Sequence, residues 1–223
     1  MTKQTLSFIT LLLTVQFAFS QNLVRRKIYH KVTNHLVEEF DTKDSTSSIK
    51  LGYYARYNAQ NGKLIKTGSF NNNQRTGVWS FFDDSTKLSF KYNYTNGLVL
   101  FSKPDTLAKY FLRIANVDTN FYAGLSQIPL FVGGEVELKD FLAGNLRYPT
   151  IARESNISGW VIASFTIKET GYPENPKIVK GLGYGCDDEV LRVIKLMPRF
   201  VPARRMQEIS HTYYMAFKFE PKK

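Results

Sequence analysis

Between residues 52 and 97 the chain nearly repeats itself, and that repeat dictates a sheet. Gly52-x-Tyr54-x-x-Tyr57 is matched 25 residues later by Gly77-x-Trp79-x-x-Phe82. Lys63-Leu64 returns as Lys87-Leu88, and Phe70-x-Asn72-Asn73 as Tyr94-x-Asn96-Gly97, each 24 residues on. An earlier copy would begin near Val32 to Phe40, where the alternation suits a strand. Aromatic residues two apart lie on one face of a strand and stack against neighbouring strands. Between them stand turn signals: Asn61-Gly62, Asn71 to Asn73, Asp83-Asp84 and Asn96-Gly97. Asn and Gly tolerate the positive φ angles that tight hairpins demand. A unit this short cannot bury its own apolar face, so successive copies must pair edge to edge. The expected product is an antiparallel meander of hairpins.

Gly-x-Tyr…Asn-Gly-Lys-Leu…Gly-Ser-Phe…Gly-Val-Trp, over about residues 50–100, resembles the MORN-like repeats of bacterial exported proteins. The resemblance implies a scaffold or an interaction surface. The aromatic stripe itself reads as core rather than as a ligand cage.

Past residue 103 the pattern changes. Pro104-Asp105 opens a short helical spacing over Thr106 to Ala115, with Asp105 as its N-cap, and residues 116–128 read as connector. Glu135 to Leu146 carries Val136, Leu138, Phe141, Leu142 and Leu146 as a helical stripe, ended before Tyr148-Pro149. Trp160 to Ile167 alternates as a strand with Val161, Ala163, Phe165 and Ile167 on one face. Gly171 to Pro176 is a turn and Lys177 to Lys180 a second strand. Asp187 is placed to cap a helix running to about Met197, whose buried stripe is Val190, Val193, Ile194 and Met197. Its early acids suit the positive end of the dipole. Pro198 and Pro202 end it, and His211 to Phe219 alternates as a last strand. The segments are thus 21–103 for the repeats, 104–128 for a short helix and linker, and 129–223 for a second domain.

Helix, strand, strand, helix, strand in this order resembles the TonB C-terminal domain. The matching residues are Pro129-Leu-Phe-Val-Gly-Gly134, Tyr148-Pro149, Ala152, Ile157-x-Gly159-x-Val161, Phe165-x-Ile167, Gly185-Cys186-Asp187, Glu189, Leu191 to Pro198, and Tyr213-x-Met215-x-Phe217-x-Phe219. The resemblance implies an α+β fold, with two helices on a three-stranded antiparallel sheet. It also implies a partner, the periplasmic face of an outer-membrane TonB-dependent transporter, whose short peptide adds a strand to the sheet. The partner-binding residues would then be Tyr213, Met215 and Phe217 on the last strand, with Arg147 and Tyr148 beside them. Homodimerisation by edge-strand pairing is a second expectation. Two departures stand out: no Pro-rich, Lys/Glu-rich spacer precedes the domain, and Arg199-Phe200-Val201-Pro202-Ala203 replaces the Trp and Pro-Gly common after the second helix.

Residues 1–20 read as a secretory signal: Lys3, then an apolar run from Leu6 to Phe19, then Ala18-Phe19-Ser20 for cleavage before Gln21. A periplasmic product is expected. An uncleaved anchor is the alternative, and would make the protein a TonB-type energy transducer; a cell-envelope scaffold is a third reading. Net charge is +11, with 14 Lys/Arg against 7 Asp/Glu over residues 21–110 and 15 against 12 over 111–223. Without a basic helix or nucleic-acid motif, this charge suggests a solvated face, attracted to an anionic envelope polymer rather than to nucleic acid.

No chemistry is legible. One cysteine, Cys186, excludes an intramolecular disulfide, and His30, His35 and His211 lack metal-ligand spacing. Gly181-Leu-Gly183-Tyr-Gly185 opens on an acidic helix that would repel phosphate. Glu38-Glu39 and Asp83-Asp84 are adjacent pairs that point opposite ways on a strand, read as solvated turn or edge charges. The expectation is a non-enzyme without metal or cofactor.

Overall fold

The computed structural model describes residues 22–103 and 124–220. The predicted signal segment and the predicted helix over Thr106 to Ala115 lie outside the described residues. From the first part of the chain comes one seven-stranded antiparallel sheet in strict sequence order. Its strands are β1 (Val24–Tyr29), β2 (Leu36–Thr42), β3 (Leu51–Tyr57), β4 (Leu64–Asn71), β5 (Gln74–Phe82), β6 (Leu88–Asn93) and β7 (Leu98–Ser102).

The repeated glycines explain the repeated aromatics. Phe40 pairs with Tyr54 but Asp41 pairs with Leu51, so Gly52 and Tyr53 bulge from β3 opposite nothing on β2. On β5, residues 77–79 lie opposite Gly68 alone. Gly52 and Gly77 take φ of 65° and 61° at these bulges, a conformation that costs other residues free energy. Each bulge aims the aromatic two residues on, Tyr54 or Trp79, at the same face. There Phe40, Tyr54, Trp79, Phe81 and Phe90 form a buried cluster. The Tyr54 and Trp79 rings lie 5.4 Å apart, with Phe70 edge-on to both at 5.0 Å. The aromatic stripe is core.

The adjacent acids Glu38 and Glu39 do face opposite ways, and only Glu38 keeps part of its surface in solvent. Glu38 pairs with Lys50, while Glu39 is buried and accepts from the Tyr57 hydroxyl at 2.6 Å. The tyrosine, three residues past Tyr54 in the repeat, supplies the donor that lets a carboxylate sit in the sheet.

The second part is a mixed α and β unit. It contains β8 (Leu130–Phe131), α1 (Gly134–Asn145), α2 (Thr150–Glu154), β9 (Gly159–Ile167), β10 (Pro173–Lys180), α3 (Cys186–Lys195), β11 (Phe200–Val201), β12 (Ala203–Arg204), β13 (Glu208–Ile209) and β14 (His211–Phe219). β9 is central in the order β10-β9-β14, all antiparallel. Its Val161, Ala163, Phe165 and Ile167 meet Tyr213, Met215, Phe217 and Phe219 of β14 in a core closed by Val190, Val193 and Ile194 of α3. Leu138, Phe141 and Leu142 of α1 pack against the same core. Burying each of the larger side chains contributes about 1.5–3 kcal/mol before entropy is counted.

Three details differ from the sequence reading. Pro149 does not simply stop a helix; it occupies the N-cap of α2, a turn the short apolar pattern concealed. β10 starts at Pro173 rather than at Lys177, because both of its prolines sit on an edge strand where a missing N–H is tolerated. Asp187 does not cap α3. Gly185 holds that position, and the Asp187 carboxylate reaches back to the N–H groups of Leu182 at 2.9 Å and Gly183 at 3.2 Å.

Candidate functional site

A three-stranded sheet has two edges, and this one treats them differently. β10 carries Pro173 and Pro176, and its register against β9 is broken between Glu174 and Lys177 and again between Ile178 and Lys180. Prolines and bulges of this kind blunt an edge against pairing. β14 has neither. It pairs with β9 over nine consecutive positions, from His211↔Ile167 to Phe219↔Gly159, without a break.

The alternation along β14 sorts its side chains. Tyr213, Met215 and Phe217 are buried, and they belong to the core. Tyr213 packs edge-on to Phe165 at 5.6 Å and to Phe200 at 5.7 Å. The side chains predicted to meet a partner therefore fix the strand, and what lies along its edge is main chain, with the partly exposed Thr212, Tyr214 and Ala216 on the opposite face. Lys218, on the opposite face, is exposed beside the half-exposed Trp160 ring.

Tyr148 joins this strand to a groove. Its hydroxyl donates to the Ile157 carbonyl, and its ring lies 6.1 Å from that of Phe219. On its other side is a groove of about 400 Å³ lined by Arg147, Tyr148, Pro149, Asp188, Glu189 and Arg192. Arg147 and Tyr148 are thus close to the C-terminal end of β14, while Tyr213 sits toward its other end.

The groove rests on an ion pair that sequence reasoning passed over. Arg192 grips Glu189 through two bonds of 2.7 Å and donates to the Asn145 carbonyl at 2.6 Å. Glu189 also accepts the Arg147 backbone N–H at 2.7 Å, which pins the loop between α1 and α2 to α3. Beyond the Asp187 cap and the place of Glu189 in the TonB resemblance, the acids of α3 read as partners of the helix dipole; the signal for the ion pair is the three-residue spacing of Glu189 and Arg192. The side-chain bonds from Arg192 hold the Glu189 carboxyl below its ordinary value near 4.5, against a smaller opposing effect of burial. A depressed carboxyl pKa stabilises the fold above the unfolded value and loses that contribution as pH falls through the folded one. Glu189→Gln is accordingly expected to cost about 0.5–1 kcal/mol at neutral pH, since Arg192 is partly solvated. Paired denaturant titrations should show the gap between variant and wild type closing below pH 4.5; a gap unchanged at low pH would refute the assignment.

Elsewhere the chemistry-bearing residues are occupied structurally. Cys186 is buried, and burial pushes its thiol pKa up, away from thiolate reactivity. His35 Nδ1 lies 3.2 Å from the Ala59 carbonyl, and His30 Nδ1 3.1 Å from the Thr33 hydroxyl. Among the described residues no group of His, Cys, Asp and Glu is arranged to hold a metal ion, and no helix is long and apolar enough to cross a membrane.

Comparison with known proteins bears on this second unit. No curated protein matches the chain in sequence. Among solved structures, the chain is similar to the solution structure of the Helicobacter pylori TonB C-terminal domain, at 18% identity and a TM-score of 0.33, covering 55% of this chain and 99% of that one. Residues 144–221, from the end of α1 through β14, match the family model described as Gram-negative bacterial TonB protein C-terminal.

Proposed function

We propose that this is an exported, periplasmic binding or adaptor protein. Its second unit takes an extended peptide segment of an outer-membrane TonB-dependent transporter as an added strand along β14. One observation carries the reading: the sheet's two edges are unequal, with β10 interrupted by prolines and register breaks and β14 regular over its whole length. The family match over residues 144–221 supports the class of partner. In strand addition the main chain supplies affinity, at about 0.5–1.5 kcal/mol net per hydrogen bond, so several bonds are needed. Side chains of the peptide would be selected beside the strand, where the groove at Arg147 and Tyr148 offers both charges. The Ala18-Phe19-Ser20 segment supports export, and the absence of a long spacer after it supports an adaptor over an energy transducer.

The experiment is amide exchange on the mature chain, with and without a synthetic peptide taken from the periplasmic N-terminal segment of such a transporter. Alternate amides between Tyr213 and Phe219 should gain protection on binding, because successive N–H groups of a strand point to opposite sides. Protection gained only around Arg147 and Arg192, with β14 unchanged, would sink strand addition and leave the groove as the binding site.

A further inference from the structure

The two sheets meet across α1, and the meeting is made by charge. Lys66, on β4, is 4% exposed, and its ammonium lies 2.5 Å from Glu137 and 3.1 Å from Asp140, both on α1. Arg75 of β5 reaches the other oxygen of Glu137 at 3.0 Å, and Arg56 of β3 reaches Asp140 at 2.7 Å. Three neighbouring strands of the meander thus each hand one cation to one helix. Arg75 is itself held in place, donating to the Tyr94 hydroxyl at 2.7 Å and lying 4.5 Å over the Trp79 ring.

Apolar contact surrounds this network. Leu130 and Val136 pack against the aromatic cluster of the meander, whereas Leu138, Phe141 and Leu142 pack into the core of the second unit. The chain enters α1 through Gly133 and Gly134, and a Cβ on either would stand 3.3 Å from Phe81 or 3.1 Å from Phe90. Side chains three apart lie on one helix face, so Glu137 and Asp140 share a face, with the stripe of Leu138, Phe141 and Leu142 running beside it. One helix therefore belongs to two cores.

We propose that this network is a clasp: it makes the meander and the second unit one cooperative body, and it is the point at which they part. The physical reason is the asymmetry of buried charge. Lys66 and Glu137 have left water, so separating the units re-solvates them together at modest loss. Removing Lys66 leaves Glu137 with Arg75 alone, and removing Glu137 leaves Lys66 with Asp140 alone, so each single change leaves a buried charge under-compensated. The clasp does not depend on what β14 binds.

The test is amide exchange followed by mass spectrometry on the mature chain. In the wild type, β3 to β6 should exchange through the same opening event as β9 and β14. In Lys66→Met and in Glu137→Gln, β3 to β6 should open on the order of a hundredfold more often, with β9 and β14 keeping their wild-type rates. The double variant should exceed either single change by no more than about threefold, because the two residues act as a pair. Three results would overturn the clasp. One is separate opening of the two sheets in the wild type, which decides the matter even where a variant fails to fold. The second is β3 to β6 rates unchanged in both single variants. The third is an equal rise in both sheets, which would mean that something else joins them.

Discussion

Trp79→Ala is expected to destabilise the protein by about 3–5 kcal/mol, among the largest losses a single truncation can cause in the meander. Trp79 has no exposed surface and contacts the rings of Tyr54, Phe70, Phe81 and Tyr94 at 5.0–6.2 Å. Gly68 lies directly under it; a Cβ there would stand 2.3 Å from the indole, so the ring occupies space the sheet leaves for it alone. Its Nε1 donates to the Ser69 carbonyl at 3.1 Å. Alanine would leave both a cavity and a carbonyl without its donor. For a chain of this size each kcal/mol moves the melting temperature by roughly 2–4 °C, so a fall of about 6–20 °C is expected. Trp79→Phe keeps most ring contact and loses the hydrogen bond, and should cost roughly 1–2 kcal/mol. Thermal melts by circular dichroism check both. A Trp79→Ala protein melting within about 2 °C of wild type would mean the aromatic face is not the core of this sheet.

That prediction rests on features visible in the sequence, and the reason is local. The repeat places Gly52 and Gly77 at bulges, and the bulge fixes where Tyr54 and Trp79 point, so spacing within some 25 residues is enough to read the sheet and its core. Helices α1 and α3, and strands β9 and β14, were legible for the same reason: their stripes are periodic. The clasp was not. Lys66 and Glu137 lie 71 residues apart, and nothing in either neighbourhood distinguishes a lysine that will be buried from one that stays in water. Glu39 makes the same point. Its burial depends on Tyr57 across a strand pairing, so the sequence pattern alone suggested a solvated acid. In the second unit the order of elements was clear, but the inequality of the two sheet edges needed the register of β10, whose prolines read first as a turn.

Phe217→Ala is expected to lower stability by about 3–5 kcal/mol while leaving the peptide affinity of the folded protein nearly unchanged. Phe217 is fully buried, opposite Val161 on β9, in the core beneath α3. Its side chain points into that core, so under the proposed strand addition it acts by holding the main chain of β14 straight. Lys218→Ala is the matched control. Lys218 is exposed and pairs with Glu220 at 2.8 Å, a surface contact worth about 0–1 kcal/mol. The stability ranking should therefore be steep between two adjacent residues, and the affinity ranking should be flat or reversed. Denaturant titration gives the first. Calorimetry with the transporter peptide gives the second, run at a temperature where Phe217→Ala is still folded. If Phe217→Ala stays stable but loses binding, the aromatic side chain itself meets the peptide. β14 would then have to turn its inner face outward to bind, and the strand would be a moving part rather than a fixed edge.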